Sequence, residues 1–401
     1  MTITPRTQAP VKESIAARLA EARKRTLQLI EPLSDEQLNR VYTPLLSPLS
    51  WDLGHIANFE ELWLVQNIAG REPMDGKLGR LYDAIENPRA GRNELPILRG
   101  AELRAYMEEV RERTLEVLDG IELEGDPLLE GGFIYEMLLA HEHQHNETML
   151  QLLQMVESYQ PVERNAPVAA GGEGPEMVRV EGGEHEIGTD TSRFAYDNER
   201  PRHTMELESF LIDRTPVTNE AFARFVAETG AEPPRYWERD GDGGWVRTAM
   251  GVTQDLDPAL PVIHVDFHQA EEYARWAGKR LPTEFEWEAA ARGADADRAN
   301  LDHLAFGCAP SGAHGDGATD CGAVQMLGDV WEWTSSDFEA YPGFETFPYP
   351  EYSEVFFGPE HKVLRGGSWA TRRDVIRTTF RNWDLPERSQ IFSGIRCVRD
   401  E

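Results

Sequence analysis

The chain has 401 residues, 40% of them hydrophobic and 9% aromatic, which exceeds what one hydrophobic core usually serves and predicts two domains. Its 71 acidic and 40 basic residues give a formal net charge of −31, which disfavours nucleic acid and anionic membranes as partners. There is no long apolar run, and the N-terminus (MTITPRTQAP) lacks the apolar segment of a signal peptide. We therefore expect a soluble, cytoplasmic protein.

Four segments of the N-terminal part carry apolar residues at helical spacing. They are residues 15–30, about 51–68, 103–117 and 134–156. Four such helices in succession predict a four-helix bundle over residues 1–160.

The composition and the spacing of apolar residues change after the bundle. Residues 161–175 are rich in Pro, Gly and Ala without periodicity, which is typical of an interdomain linker. In residues 176–401, short apolar stretches alternate with Gly, Pro and Asp, and long loops separate them. This pattern predicts an α+β domain with helices near 219–229, 269–278 and 284–292.

The sequence HEHQHNE, starting at His141, lies inside the last helical segment of the bundle. Residues four apart on a helix lie about 40° apart around its axis, so His141 and His145 share one face and can grip a metal ion. The same geometry directs His143 and Glu147 away from that face, and Glu147 is better suited to orienting an imidazole.

Two histidines do not complete a metal site. His55, on another strongly apolar helix, is a candidate for the third ligand, because bundles build metal sites from inward side chains of facing helices. The alternative is that His55 only packs in the core. Neutral imidazoles suit zinc, iron, copper or nickel, so the spacing alone does not choose the metal.

The N-terminal half resembles the DinB-like four-helix metal bundle. The C-terminal half resembles the formylglycine-generating enzyme (sulfatase-modifying factor) domain, a modified C-type-lectin fold, through four of its densest motifs: RLPTE at 280–284, GDVWEW at 328–333, RGGSW at 365–369 and GIR at 394–396. Residues 370–380 lack the cysteines that formylglycine-generating enzymes carry after RGGSW, which argues against formylglycine chemistry.

The two domains in this order resemble the sulfoxide synthases of ergothioneine biosynthesis (hercynine oxygenases). The resemblance implies an oxidoreductase that uses Fe(II) and O2 to join the thiol of γ-glutamylcysteine to the imidazole of hercynine, the N-trimethylated betaine of histidine. The sulfur is oxidised to a sulfoxide in the same reaction. The resemblance also implies that His55, His141 and His145 are the iron ligands.

A tyrosine pair and a C-terminal signature also look like this family. Tyr349 matches the catalytic proton donor, and Tyr352 follows three residues later. The trimethylammonium group of hercynine suits the aromatic faces of Trp383 and Tyr352. Its carboxylate suits Asn382, and Gln144 is placed to hydrogen-bond its imidazole.

γ-Glutamylcysteine carries one ammonium and two carboxylates, which need charged partners. The resemblance implies that Asp384 takes the ammonium, and that Arg388, Arg89 and Arg92 take the carboxylates. More generally, the arginine-rich stretch 365–399 suits either structural ion pairs or a pocket for small carboxylates.

Three alternatives remain open at the level of the sequence. The same chemistry can use cysteine or a selenium donor, as in a selenoneine- or ovothiol-type synthase. The bundle can instead hold zinc, as in a DinB-type thiol transferase. A non-catalytic, lectin-like binder is the third alternative, and the pairing of His141 with His145 argues against it.

Overall fold

The computed structural model describes residues 5–157, 159–160, 171–172, 174 and 176–401. The chain divides into two compact units, Met1–Val162 and Glu163–Glu401. Most of the predicted linker, residues 161–175, lies outside the described residues, so the linker stays a prediction.

The first unit is helical, as predicted. In chain order its helices are α1 (Pro5–Ile30), α2 (Asp35–Asn39), α3 (Leu49–Glu60), α4 (Gly76–Leu81), α5 (Gly100–Gly120) and α6 (Phe133–Leu153). A π-helical segment, Glu61–Ile68, continues α3, so the predicted helix at 51–68 is present with a change of hydrogen-bond pattern near its middle. Within the described part of the chain, no helix is both long and apolar enough to span a bilayer.

Helix α3 is buried on almost all sides, because it packs against both α5 and α6, while α1 packs against α6. A helix in that position must be apolar all round unless a polar side chain has a partner. The buried polar residues of α3 are therefore the informative ones, and His55 and Asp52 are among them.

In its described residues, the second unit combines short strands with three α-helices. Its strands are β1 (Met177–Val180), β2 (Gly183–Ile187), β3 (His203–Leu207), β4 (Phe210–Asp213), β5 (Trp237–Arg239), β6 (Trp245–Ala249), β7 (Val252–Asp255), β8 (Trp331–Phe338), β9 (Gly358–Arg365), β10 (Asn382–Asp384), β11 (Ser393–Gly394) and β12 (Val398–Asp400). Its helices are α7 (Asn219–Thr229), α8 (Phe267–Trp276) and α9 (Glu284–Ala290). Helix α8 begins earlier than predicted because Asp266 caps it through the amide of Gln269.

Four small sheets organise these strands. Their orders are β1-β4-β12, β10-β9-β8-β11, β2-β3 and β5-β6-β7. The four-stranded sheet matters most for function, since its edge strand β10 is the Asn382–Asp384 signature and runs antiparallel to β9. The predicted α+β character of this unit is confirmed.

The recognisable motifs of the second unit are joined by buried ion pairs. Glu284 of RLPTE pairs with Arg365 of RGGSW (3.2 Å) and with Arg381 through both of its oxygens (2.7 and 2.8 Å). Glu332 of GDVWEW pairs with Arg396 of GIR at 2.9 Å. All three arginines are almost completely buried, so these members of the arginine-rich stretch form structural ion pairs.

Candidate metal centre and substrate residues

Three histidines converge inside the helical unit. His55 projects from α3, and His141 and His145 project one turn apart from α6. One ring nitrogen from each lies within 4.8 Å of the other two, and the Nε2 atoms of His55 and His141 are 3.1 Å apart. Among the described residues, this is the group that has the composition and spacing of a metal site.

The donor set fits a divalent transition metal. Two imidazole nitrogens bound about 2.1 Å from one ion, at a right angle, lie about 3 Å apart, close to the separation seen between His55 and His141. Burial, then the charge of nearby His145, lowers the pKa of both rings well below the usual value. Neutral rings keep a lone pair for a metal ion.

Partners on the far side of each ring orient the histidines. His55 donates through Nδ1 to the carbonyl of Tyr82 (2.7 Å), and His145 Nδ1 lies 3.3 Å from Asp52 Oδ1. The contact with Tyr82 requires Gly54, since a Cβ there would lie 2.2 Å from the Tyr82 ring. Such hydrogen bonds fix which nitrogen faces a metal ion.

A buried charge network links the four long helices behind the histidines. Arg23 of α1 contacts Glu60 of α3 (3.0 Å) and Glu142 of α6 (2.9 Å). Arg111 of α5 contacts the same two carboxylates at 2.6 and 3.1 Å. Since Glu142 follows His141 directly, the network holds α3 and α6, the two helices that carry the histidines, in one register.

Replacing Glu142 by alanine is expected to lower the free energy of unfolding of the helical unit by about 3–5 kcal/mol, because Arg23 and Arg111 stay buried with one carboxylate fewer. Urea unfolding of the metal-free protein, followed by far-ultraviolet circular dichroism, measures the change. The matched control is Glu136→Ala on α6, whose partly exposed ion pair with Arg18 should contribute less than about 1 kcal/mol. Equal losses for both variants would contradict the assigned role of the network.

The network also predicts acid sensitivity. Burial raises the pKa of Glu142, but the charges and hydrogen bonds of Arg23 and Arg111, with the hydroxyl of Thr26, outweigh it and lower the pKa below its ordinary 4.5. The folded state therefore binds this proton more weakly than the unfolded chain. The contribution of Glu142 to the stability of the folded state is complete above pH 4.5, the ordinary pKa of a glutamate. It is lost as the pH falls below that value.

The other predicted residues of α6 lie outside the three-histidine group. Gln144 is half-buried, and its backbone carbonyl accepts a hydrogen bond from Thr148 (3.2 Å). His143 and Glu147 are buried, at 2% and 6% exposure. His143 is not part of the group formed by His55, His141 and His145, as expected from its position around the helix axis.

Arg89 and Arg92 occupy different environments. They lie on one 3-10 turn, Arg89–Glu94, where Arg89 is exposed and Arg92 is 6% exposed. The guanidinium of Arg92 stacks 3.5 Å over the ring of Trp51, and donates to Ser47 Oγ (2.7 Å) and to two backbone carbonyls. Since Trp51 in turn stacks on His55, Arg92 also supports the position of the His55 ring.

The tyrosine pair of the second unit belongs to an aromatic cluster. The rings of Tyr349 and Tyr352 are 6.4 Å apart, and Tyr352 stacks on Tyr196 at 3.8 Å. Trp383 packs edge-on against Tyr352 (5.4 Å) and flat against Phe338 (4.2 Å). The structure thus brings together Tyr349, Tyr352 and Trp383, three of the predicted site residues.

The remaining predicted residues lie on or just after β10. Alternation along the strand places Asn382 and Asp384 on one face and Trp383 on the other. Arg388 is buried, and its Nε lies 3.7 Å from Asp384 Oδ1. Asp384 and Arg388, which were predicted to bind the ammonium and a carboxylate of the thiol substrate, therefore lie next to each other.

Known proteins resemble the chain over nearly its whole length. The sulfatase-modifying factor enzyme 1-like domain family matches residues 163–401, and the DinB superfamily matches residues 18–149. A hercynine oxygenase of Mycolicibacterium smegmatis is 43% identical over 97% of this chain and 99% of its own. One from Mycolicibacterium thermoresistibile is 40% identical over 98% of this chain and 96% of its own. The chain belongs to the hercynine oxygenase family.

Membership of the hercynine oxygenase family confirms two predictions: the fold class, a DinB-like bundle joined to a formylglycine-generating-enzyme-like domain, and the oxidoreductase class. A formylglycine-generating enzyme of Streptomyces coelicolor is 32% identical, but covers 59% of this chain. The hercynine oxygenases account for both units together.

Several residues that support the site were not identified from the sequence. They are Asp52, Tyr82, Arg23, Glu60, Arg111 and Glu142 in the helical unit, and Tyr196 in the second. Asp52 carried a usable signal, because an acid on a fully buried helix needs a partner. For the others the partner is distant in sequence, as between Arg23 and Glu142, 119 residues apart, and no local pattern marks it.

Proposed function

We propose that the protein is an Fe(II)- and O2-dependent sulfoxide synthase that joins the sulfur of γ-glutamylcysteine to the imidazole of hercynine, in ergothioneine biosynthesis. The thiol loses its S–H hydrogen and the imidazole its C–H hydrogen. One oxygen atom of O2 ends in the sulfoxide, and the other leaves as water with these two hydrogens. The full-length similarity to hercynine oxygenases, together with the three-histidine centre, carries the proposal.

In this proposal His55, His141 and His145 hold the iron. When bound, Fe(II) supplies electrons to O2 and a Lewis-acidic position that favours the thiolate form of the second substrate. Three neutral protein ligands leave the remaining coordination positions for reactants. The residues around the histidines keep each ring in a single orientation, through Tyr82 for His55 and Asp52 for His145.

Hercynine is assigned to the aromatic cluster and β10. Its quaternary ammonium carries a permanent charge without N–H groups, so aromatic faces are its natural partners, and Tyr352 and Trp383 supply them. Asn382 binds the carboxylate of hercynine, and Gln144 hydrogen-bonds its imidazole. The packing of Trp383 against Phe338 supports this role, since it holds the indole ring in a fixed plane.

The thiol substrate is assigned to Asp384, Arg388, Arg89 and Arg92. The 3.7 Å separation of Asp384 and Arg388 is complementary to an amino-acid end group, whose ammonium faces the acid and whose carboxylate faces the base. Arg89 is exposed and suits the second carboxylate of γ-glutamylcysteine. Arg92 has a structural role as well, so its removal also disturbs Trp51 and His55.

Replacing Arg89 by alanine is therefore the informative test of thiol choice. The loss of one charge-assisted contact, about 1.5–3 kcal/mol, should weaken γ-glutamylcysteine about ten- to a hundredfold. Cysteine, which lacks the distant carboxylate, and hercynine should hardly change. Apparent KM values for the three substrates measure the effect. Comparable losses for both thiols, or a wild-type preference for cysteine, would contradict the γ-glutamylcysteine assignment and leave the iron chemistry standing.

The function itself is tested with an oxygen electrode. The protein is purified anaerobically and its metal content measured; Fe(II), hercynine and either γ-glutamylcysteine or cysteine are then added. O2 consumption that requires hercynine, with a product mass equal to the sulfoxide conjugate, is expected. Zinc in the purified protein, with no O2 consumption, would instead indicate a thiol transferase. Product from a selenium donor in preference to either thiol would indicate a selenoneine-type synthase.

A further inference from the structure

One buried acid, Asp197, anchors the loop that carries Tyr349 and Tyr352. Asp197, which is 3% exposed, accepts a hydrogen bond from the amide of Phe347 through Oδ2 (3.2 Å). Its other oxygen, Oδ1, accepts from the hydroxyl of Ser353. One carboxylate therefore holds the loop two residues before Tyr349 and again four residues after it.

The second anchor, Ser353, is fully buried and has another partner on the same turn. Asn198, also fully buried, donates from Nδ2 to Ser353 Oγ at 3.0 Å. Tyr196, on the other side of Asp197, stacks on Tyr352 with the rings 3.8 Å apart and 12° from parallel. Three consecutive residues, 196–198, thus form the surface on which the tyrosine loop rests.

That surface is itself rigidly held. Glu199, which is fully buried, accepts from the amide of Tyr196 (2.9 Å) and from the guanidinium of Arg377 (Nε, 2.7 Å). The hydroxyl of Thr379 donates to the same carboxylate at 2.7 Å. Since a buried, fully bonded acid does not change position easily, residues 196–198 provide a fixed support rather than a flexible one.

The outer side of the loop contrasts with this arrangement. Phe347 and Val355 are 37% and 53% exposed, and the hydrogen bond between Thr346 and Glu354 is also exposed. The position of the tyrosines therefore depends on the inner contacts to residues 196–198. Asp197 makes two of those contacts.

We infer that Asp197 is a positioning residue for the proton donor: it fixes the loop that carries the Tyr349 hydroxyl. The inference rests on the proposed function and on the family resemblance, which implies that Tyr349 is the catalytic proton donor. In that role Tyr349 supplies a proton that the reduction of O2 consumes. Asp197 does not itself touch the substrates. It acts through the backbone of Phe347 and the side chain of Ser353.

Asp197 also lies close enough to Tyr349 to affect its ionisation. Burial, followed by the proximity of Tyr196 and Asp197, raises the pKa of Tyr349 well above its usual value. The neutral, protonated form of Tyr349 is therefore the stable one at this position.

The test compares Asp197→Ala, Tyr349→Phe and the double variant in the iron-loaded protein. Measured quantities are kcat, the KM of both substrates, iron content and the share of O2 that ends in sulfoxide product rather than oxidised thiol. Misplacement of a catalytic group by about 1 Å can cost about a hundredfold, so we expect Asp197→Ala to lower kcat about ten- to a hundredfold. The KM values and iron content should hardly change, and the sulfoxide share should fall, as in Tyr349→Phe.

The double variant separates positioning from general stability. If Asp197 acts through Tyr349, removing both should be no worse than Tyr349→Phe alone. The positioning role would be overturned if the double variant lost kcat by the product of the two single losses, or if Asp197→Ala left the product share unchanged. Tyr349 would then remain the donor. A wild-type product share in Tyr349→Phe would overturn the donor assignment, and the inference with it.

Milder variants keep the test valid if Asp197→Ala does not fold. Asp197→Asn retains the volume and one acceptor, and Ser353→Ala removes one of the two anchors. Both should shift the product share in the same direction, by a smaller amount. Glu354→Gln, on the exposed side of the same loop, is the matched control and should behave as the wild type. A product share unchanged in both milder variants would equally overturn the inference.

Discussion

Replacing His141 by alanine should leave the protein with little bound iron. Loss of a group that merely orients a ligand already weakens metal affinity about ten- to a hundredfold, and His141 is proposed to be a ligand itself. The helical unit should remain folded, because the charge network that begins at Glu142 does not involve His141. Metal analysis after anaerobic reconstitution, together with circular dichroism, measures both quantities.

The control for this experiment is His143→Ala on the same helix. His143 is 2% exposed and lies outside the three-histidine group, so its loss should lower the thermal stability while the folded protein keeps its iron. Equal loss of iron in both variants would show that the assignment of ligands by helical face is wrong. His55→Ala and His145→Ala should resemble His141→Ala.

Replacing Tyr349 by phenylalanine should reduce formation of the sulfoxide by about a hundredfold or more, in the range that general acid catalysis contributes. The iron content and the affinities for hercynine and the thiol should be preserved, since only a hydroxyl group is removed. O2 consumption should be diverted toward oxidation of the thiol alone. Product analysis by mass spectrometry, with O2 uptake measured in parallel, distinguishes the two products.

Tyr352→Phe is the matched comparison, because Tyr352 lies three residues later in the same aromatic cluster. We expect a smaller effect, mainly on the KM of hercynine, because the ring proposed to face the quaternary ammonium is kept. If Tyr349→Phe forms sulfoxide at the wild-type rate and Tyr352→Phe does not, Tyr352 is the proton donor.

Helical periodicity and motif identity were enough to predict much of this protein. The four-residue spacing of His141 and His145 places both side chains on one face of any helix, whatever surrounds it, because that geometry is local. The alternation of apolar residues and the ordered motifs likewise determined the two kinds of domain. Periodic spacing and short motifs each involve only a few neighbouring residues, so they can be recognised without knowledge of the fold.

Tertiary structure alone decided which distant residues meet. His55 and His141 are 86 residues apart, and only the packing of α3 against α6 brings their nitrogens to 3.1 Å. Asp197 and Ser353 are 156 residues apart, and neither lies in a periodic segment. The sequence of RGGSW identified the family, yet the partner of its arginine, Glu284, became known only from the folded core. A buried charge requires an oppositely charged partner close to it in the folded structure. The residues next to it in the sequence do not indicate which distant residue that partner is.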